Sequence, residues 1–137
     1  MIVQFRWEPA GEPVEQGLVP YVDGSSLLEL GEPGEYSGIR PWEFTRKGAI
    51  EDHYLGGAGS HLLAGPGDRT VLVVCACGDP GCGAVMARIE QTGDGIVWRD
   101  LIAMKAGEAG ALRAGPYRFG RQQYRYALAE AVAARPR

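Results

Sequence analysis

Thr70-Val71-Leu72-Val73-Val74-Cys75-Ala76-Cys77 is the stretch on which the fold turns. Both alternating sets of positions are apolar, and β-branched residues dominate, which is the pattern of a strand covered on both faces. Gly78-Asp79-Pro80-Gly81 follows as a four-residue turn with proline in a favoured place. The chain returns through Cys82 to Gln91. Asp94-Gly95, the best two-residue hairpin signal in the sequence, then leads into Ile96-Val97-Trp98-Arg99-Asp100-Leu101. Three antiparallel strands in a meander over 70–101 are predicted.

Working outward, Ile2 to Trp7 alternates Val3, Phe5 and Trp7 against Ile2, Gln4 and Arg6, the period of a half-buried strand. Pro9 is expected to end it. Leu18-Val19-Pro20-Tyr21-Val22 reads as a short extended piece that Pro20 confines to an edge. Asp23-Gly24 marks a turn, after which Ser25 is placed to cap one helical turn, although a strand fits Ser25 to Leu30 equally well. Residues 31–68 carry nine glycines and three prolines and are predicted to be coil with short strands. At the other end, Tyr124, Ala127, Leu128, Ala131 and Val132 recur at helical spacing from Arg121 onward. The predicted fold class is therefore α+β: a mainly antiparallel sheet with one carboxy-terminal helix packed on it.

At 137 residues the chain has the length of one domain, so 1–137 is read as a single unit. A domain of this size buries about two thirds of the surface its unfolded chain exposes, and needs no disulfide or metal merely to fold. No apolar run approaches the length of a membrane span, and the amino terminus lacks the basic and apolar regions of a secretory signal. A soluble, cytoplasmic protein is expected. Residues 1–68 hold 11 acids against 4 bases, and residues 69–137 hold 6 acids against 10 bases, with several arginines near the end. Such a cluster suits an anionic partner, but arginines on the solvent face of a terminal helix are also common. The overall pI of 5.4 argues against a dedicated nucleic-acid binder.

All three cysteines fall within eight residues, at Cys75, Cys77 and Cys82. If Gly78 to Gly81 is the loop, Cys77 lies opposite Cys82, Cys75 opposite Ala84 and Val73 opposite Met86, and all three sulfurs share one face. Directly opposed residues have Cβ atoms about 4.5–5.5 Å apart, which makes Cys77 and Cys82 the expected close pair. Three readings stay open. The thiols are reduced, partly buried small hydrophobes. Alternatively, they join His53 or His61 in a Cys3His zinc site, although C-x-C-x4-C is not a common zinc-finger spacing. In the third reading, Cys77 and Cys82 form a disulfide or redox couple with Cys75 as resolving thiol, against the tendency of a reducing compartment. Apart from backbone amides of the turn, nothing basic in the local sequence favours the thiolates, and Asp79 opposes them.

Recognised catalytic patterns are missing. The acids of 31–68 show no spacing that pairs two carboxylates, and Gly56-Gly57-Ala58-Gly59-Ser60 lacks the lysine of a phosphate loop. His53 with Cys75 as a hydrolase pair has no support from spacing. Arg121 and Gln123 open the terminal helix, where they either reach a ligand or partner or bind loop carbonyls, such as those of 31–68. The sequence accordingly points to a binding or self-associating protein, including a homodimer, rather than an enzyme. A thiol-based redox or hydrolytic enzyme and a zinc-binding domain are the alternatives.

Cys75-Ala76-Cys77-Gly78, Gly81-Cys82, Val97-Trp98-Arg99-Asp100 and Tyr117-Arg118-Phe119-Gly120-Arg121-Gln122-Gln123-Tyr124 with Ala127-Leu128 together resemble a group of small bacterial proteins with no assigned activity. The resemblance covers residues 70–130 and implies a shared fold and polar cluster, but no chemistry. In that group an aromatic residue often follows the last cysteine and an acid often precedes the Arg-x-Gln-Tyr run; here those places hold Gly83 and Gly120.

Overall fold

The computed structural model describes residues 1–9, 15–44, 47–57, 64–79 and 81–136. It contains two antiparallel sheets and one main helix at the carboxy terminus, the α+β class that the sequence predicts. The first sheet holds β1 (Val3–Pro9), β2 (Gln16–Val22) and β3 (Ser25–Ser26), in that order. β2 is the middle strand of this sheet, not the edge that Pro20 predicts; the strand tolerates the proline because β3 pairs only at Tyr21 and Val22 and the bridge to Ile39 is made at Leu18, so neither falls at position 20. Leu18, two residues before it, turns its amide away from β1 to the Ile39 carbonyl at 2.7 Å, so an amide at position 20 would also face away from β1. Asp23 and Gly24 both take positive φ, 50° and 86°, as a two-residue hairpin of the Asp-Gly kind requires. The helical turn that follows, Leu27–Leu30, is capped by Ser26 rather than Ser25: the Ser26 hydroxyl accepts from the Leu28 amide at 3.1 Å.

The second sheet has the order β10 (Tyr117–Gly120), β8 (Gly95–Lys105), β7 (Gly83–Gln91), β6 (Arg69–Cys75) and β4 (Tyr36–Ser37). Two short strands pair beside this path: β5 (Ala64–Gly65) on β6 and β9 (Glu108–Ala111) on β8. The meander β6–β7–β8 is thus present, with β8 running four residues past its predicted end. Residues 31–68 contain the expected short strands, but also a helix, α1 (Ala49–Tyr54). The terminal helix α2 spans Arg121–Ala133 and buries Tyr124, Ala127, Leu128 and Ala131, the residues of the predicted stripe, while Val132 is half-buried. Gly120 supplies its N-cap with no side-chain hydrogen bond.

Two registers differ from the sequence reading. Val74 lies opposite Ala84 and Val73 opposite Val85, a one-residue slip that puts Cys75 in line with Gly83 and lengthens the connection to residues 76–82. A slip of one exchanges the faces of a strand. Here either register satisfies burial, because Val71 to Val74 and Ala84 to Ala87 are all buried. In the next hairpin a turn on Asp94-Gly95, as the sequence suggests, would set Glu90 opposite Arg99; instead Thr92 and Gly95 close the turn through Gly93-Asp94, and Glu90 falls opposite Val97. A slip of two keeps the faces. Glu90 and Arg99 remain neighbours on one side and form an ion pair at 3.1 Å along the diagonal.

The core lies between the second sheet and a layer made of the first sheet and both helices. Trp98 is fully buried there and donates its indole N–H to the Tyr124 hydroxyl at 3.0 Å, and that hydroxyl donates to the Tyr54 carbonyl. Phe5 meets Tyr54, Trp98 and Tyr124 at ring distances of 4.7, 6.5 and 5.7 Å.

Candidate metal centre

Strand β6 delivers Cys75 at its last residue, and the chain then curls through two consecutive turns. The Gly78 amide donates to the Cys75 carbonyl at 2.7 Å, and the Cys82 amide donates to the Asp79 carbonyl at 3.0 Å. Gly78 is required at the crest. Its φ is 87°, and a Cβ there would come within 2.8 Å of the Arg40 guanidinium. Asp79 fixes the second turn by accepting from the Gly81 amide at 2.8 Å through its carboxylate. This curl gathers the sulfurs, so a shared strand face is not what brings them together.

The three Sγ atoms lie within 4.8 Å of one another, and Cys82 approaches Cys75 at 3.4 Å. All three are free thiols, Cys75 half-buried and Cys77 and Cys82 exposed. The expected Cys77–Cys82 pair is therefore part of a trio in which Cys75 and Cys82 make the direct contact. The Asp79 backbone amide, donating to Cys77, lowers that thiol below the ordinary range, helped by the neighbouring thiols. Cys82 is pushed up to about 12, because Cys75 and Cys77 hold its proton through hydrogen bonds and their negative charge.

Around this corner stand residues that sequence spacing did not associate with it. Tyr36 of β4 pairs with Cys75, and its hydroxyl is raised above the usual phenol range, first by burial and then by the charge of Glu35. Lys105, opposite Gly83 on β8, binds Glu35 at 2.8 Å and holds that carboxyl low, assisted by the Glu32 amide. Arg40, buried beside Gly78, is anchored by Glu15 at 2.7 Å. Two cations thus border a loop whose local sequence contains none. The two residues of β4 lie in a glycine-rich segment without periodicity, so no signal pointed to them.

The other predicted site residues lie elsewhere. His53, on α1, is buried between Phe44 and Tyr54, and its Nε2–H donates to the Val71 carbonyl at 2.7 Å. Burial holds its pKa down to about 4. It is not among the residues gathered with the sulfurs. His61 lies outside the described residues. Arg121 donates to the Thr92 carbonyl in the β7–β8 turn. Gln123 grips β1 twice, accepting from the Val3 amide at 3.0 Å and donating to the Val3 carbonyl at 2.6 Å. Both bind backbone, as one of the two readings expected, but in the β7–β8 turn and β1 rather than in 31–68. No helix among the described residues is long and apolar enough to cross a membrane.

Set against known proteins, the chain matches no family model, no curated protein and no solved structure. What remains is the chemistry of the corner. Sulfurs on a tetrahedral ion with Zn–S bonds of about 2.3 Å are about 3.8 Å apart, a separation that small side-chain rotations reach from the observed trio.

Proposed function

We propose that the chain is a single cytoplasmic binding domain, free or self-associated, whose working part is a metal centre of three thiolates, Cys75, Cys77 and Cys82. The observation that carries this reading is the convergence of three sulfurs within 4.8 Å on a loop built by backbone hydrogen bonds. Soft thiolate ligands favour zinc or copper(I) over the hard cations that oxygen ligands take. Three protein ligands leave the fourth position to solvent or to a partner's donor group. The test is to load the reduced protein with zinc, dialyse, and measure bound metal. About one equivalent is expected, with at least a tenfold loss of affinity in Cys77→Ser and Cys82→Ser. Failure to retain zinc or copper(I), or retention indifferent to both substitutions, defeats the proposal.

The 3.4 Å contact between Cys75 and Cys82 supports a second reading, a redox couple. Hydrogen peroxide would take two electrons and two protons from these thiols, giving one disulfide and two waters. Loss of two hydrogens at Cys75 and Cys82 by mass spectrometry, in protein that retains no metal, would favour it.

A further inference from the structure

The antiparallel registers set a row of arginines across the second sheet. Arg88 lies opposite Arg99, and Arg118 lies opposite Val97, two residues from Arg99 on the same face. Continuing the β6–β7 register by one residue brings Arg69 level with Arg88. Adjacent strands are about 4.8 Å apart, so four guanidinium-bearing strands span about 15 Å.

The four arginines are not equivalent. Arg69 donates to the carbonyls of Asp100 and Pro66 at 2.9 and 3.0 Å, and Arg88 donates to the Gly67 carbonyl at 3.0 Å and meets the Asp100 carboxylate at 3.4 Å. These two lock the loop before β6 to the bulge of β8. Among the described residues Arg99 engages only Glu90, and the exposed Arg118 side chain has no partner. Arg99 and Arg118 both line one cleft, of about 490 Å³, whose apolar wall is Leu112, Pro116 and the edge of the buried Leu101. Asp100, its acid, is already engaged with Arg88. The volume falls within the range of small-molecule sites, and paired guanidinium groups suit a planar carboxylate or a phosphate.

We infer that this cleft between β8, β9 and β10 binds a compact organic anion, with its carboxylate or phosphate on Arg99 and Arg118 and its apolar body against Leu101 and Leu112. The overall negative charge of the chain disfavours a long polyanion, while the local charge favours a small one. This site is independent of the cysteine corner.

Isotope-labelled full-length protein would be titrated with benzoate and with phenyl phosphate while amide resonances are followed. Saturable shifts at Leu101, Leu112 and Arg118 are expected with at least one of the two, and comparison of them separates carboxylate from phosphate ligands. Arg118→Gln and Arg99→Gln should each weaken binding at least tenfold, and Arg125→Gln on α2 should leave it unchanged. The Arg118 side chain has no partner among the described residues, and the substitution keeps the backbone carbonyl that binds Met1, so its variant retains the fold. The inference fails if benzyl alcohol binds as well as benzoate, or if Arg118→Gln binds undiminished. It also fails if a thymidine oligonucleotide outcompetes both probes, which would make the row a polyanion surface. Concentration-dependent shifts at the same residues without a probe would assign the cleft to a second copy of the chain, and would overturn it too.

Discussion

The aromatic core beneath α2 and the cysteine corner both concentrate chemically capable side chains, and they treat them oppositely. In the core, His53, Tyr54 and Tyr124 are shifted mainly by desolvation, which drives each toward its neutral form and away from solvent. At the corner, Cys77 and Cys82 are shifted by hydrogen bonds and by one another, with their sulfurs open to water. A perturbed group in the core is therefore a structural element, and one at the corner is a group held ready. Substitutions and pH can test whether that division is real.

The largest effect belongs to the core. Trp98→Ala removes a fully buried indole and the donor to the Tyr124 hydroxyl, so a loss of about 3–5 kcal/mol is expected by chemical denaturation. A loss below 1 kcal/mol would mean that the core tolerates the cavity and does not hold the two layers together.

The next effect is a dependence on acid. His53 has its pKa lowered by burial, partly offset by the Val71 carbonyl, so the unfolded chain binds a proton that the folded chain refuses. Stability is then complete above the unfolded pKa near 6.5 and falls as pH drops toward about 4. The loss over that window is about 3 kcal/mol, using 1.36 kcal/mol per pKa unit. Denaturation of wild type and His53→Gln at pH 7.5 and pH 4.5 checks it: the variant should be less stable at the higher pH and lack this component of the acid slope. An unchanged slope would remove His53 from the buried, neutral class.

These cases show what the sequence makes legible. Tyr124, Ala127, Leu128 and Ala131 announce α2 because helical periodicity is local, and the run from Thr70 to Cys75 announces a covered strand for the same reason. The register of that strand was not legible. Apolar residues on both faces satisfy either pairing, and the choice is made by backbone hydrogen bonds of the cysteine turn. Helix α1 and the hairpin into β9 were missed on different grounds. The first is six residues long within a glycine-rich segment, and the second turns on Ala106-Gly107 with every residue of β9 exposed. At the site, the three cysteines were visible as a count. Tyr36, Arg40 and Lys105 border that corner from distant positions that only the fold brings together.

A smaller effect tests the hairpin. Glu90 and Arg99 pair across a diagonal with each side chain 44% exposed, where solvent screens the attraction. A double-mutant cycle with Glu90→Gln and Arg99→Gln should yield a coupling of about 0.2–1 kcal/mol that shrinks in high salt. A coupling above 2 kcal/mol would imply a desolvated pair and a different packing of this face.

The smallest effect is the one that sharpens the comparison most. If the corner is a site and not a part of the core, metal-free protein should scarcely notice the loss of its thiols. Cys77→Ser and Cys82→Ser change exposed side chains whose loop is closed by backbone amides of Gly78 and Cys82, and serine keeps those amides. Their stabilities without metal should lie within about 0.5 kcal/mol of wild type, the usual range for surface substitutions. Bound zinc should stabilise wild type, because it binds the folded arrangement of sulfurs and not the open chain, and should give the variants much less. If either variant loses more than 1 kcal/mol in the absence of metal, the thiols are packing groups and the corner belongs with the core.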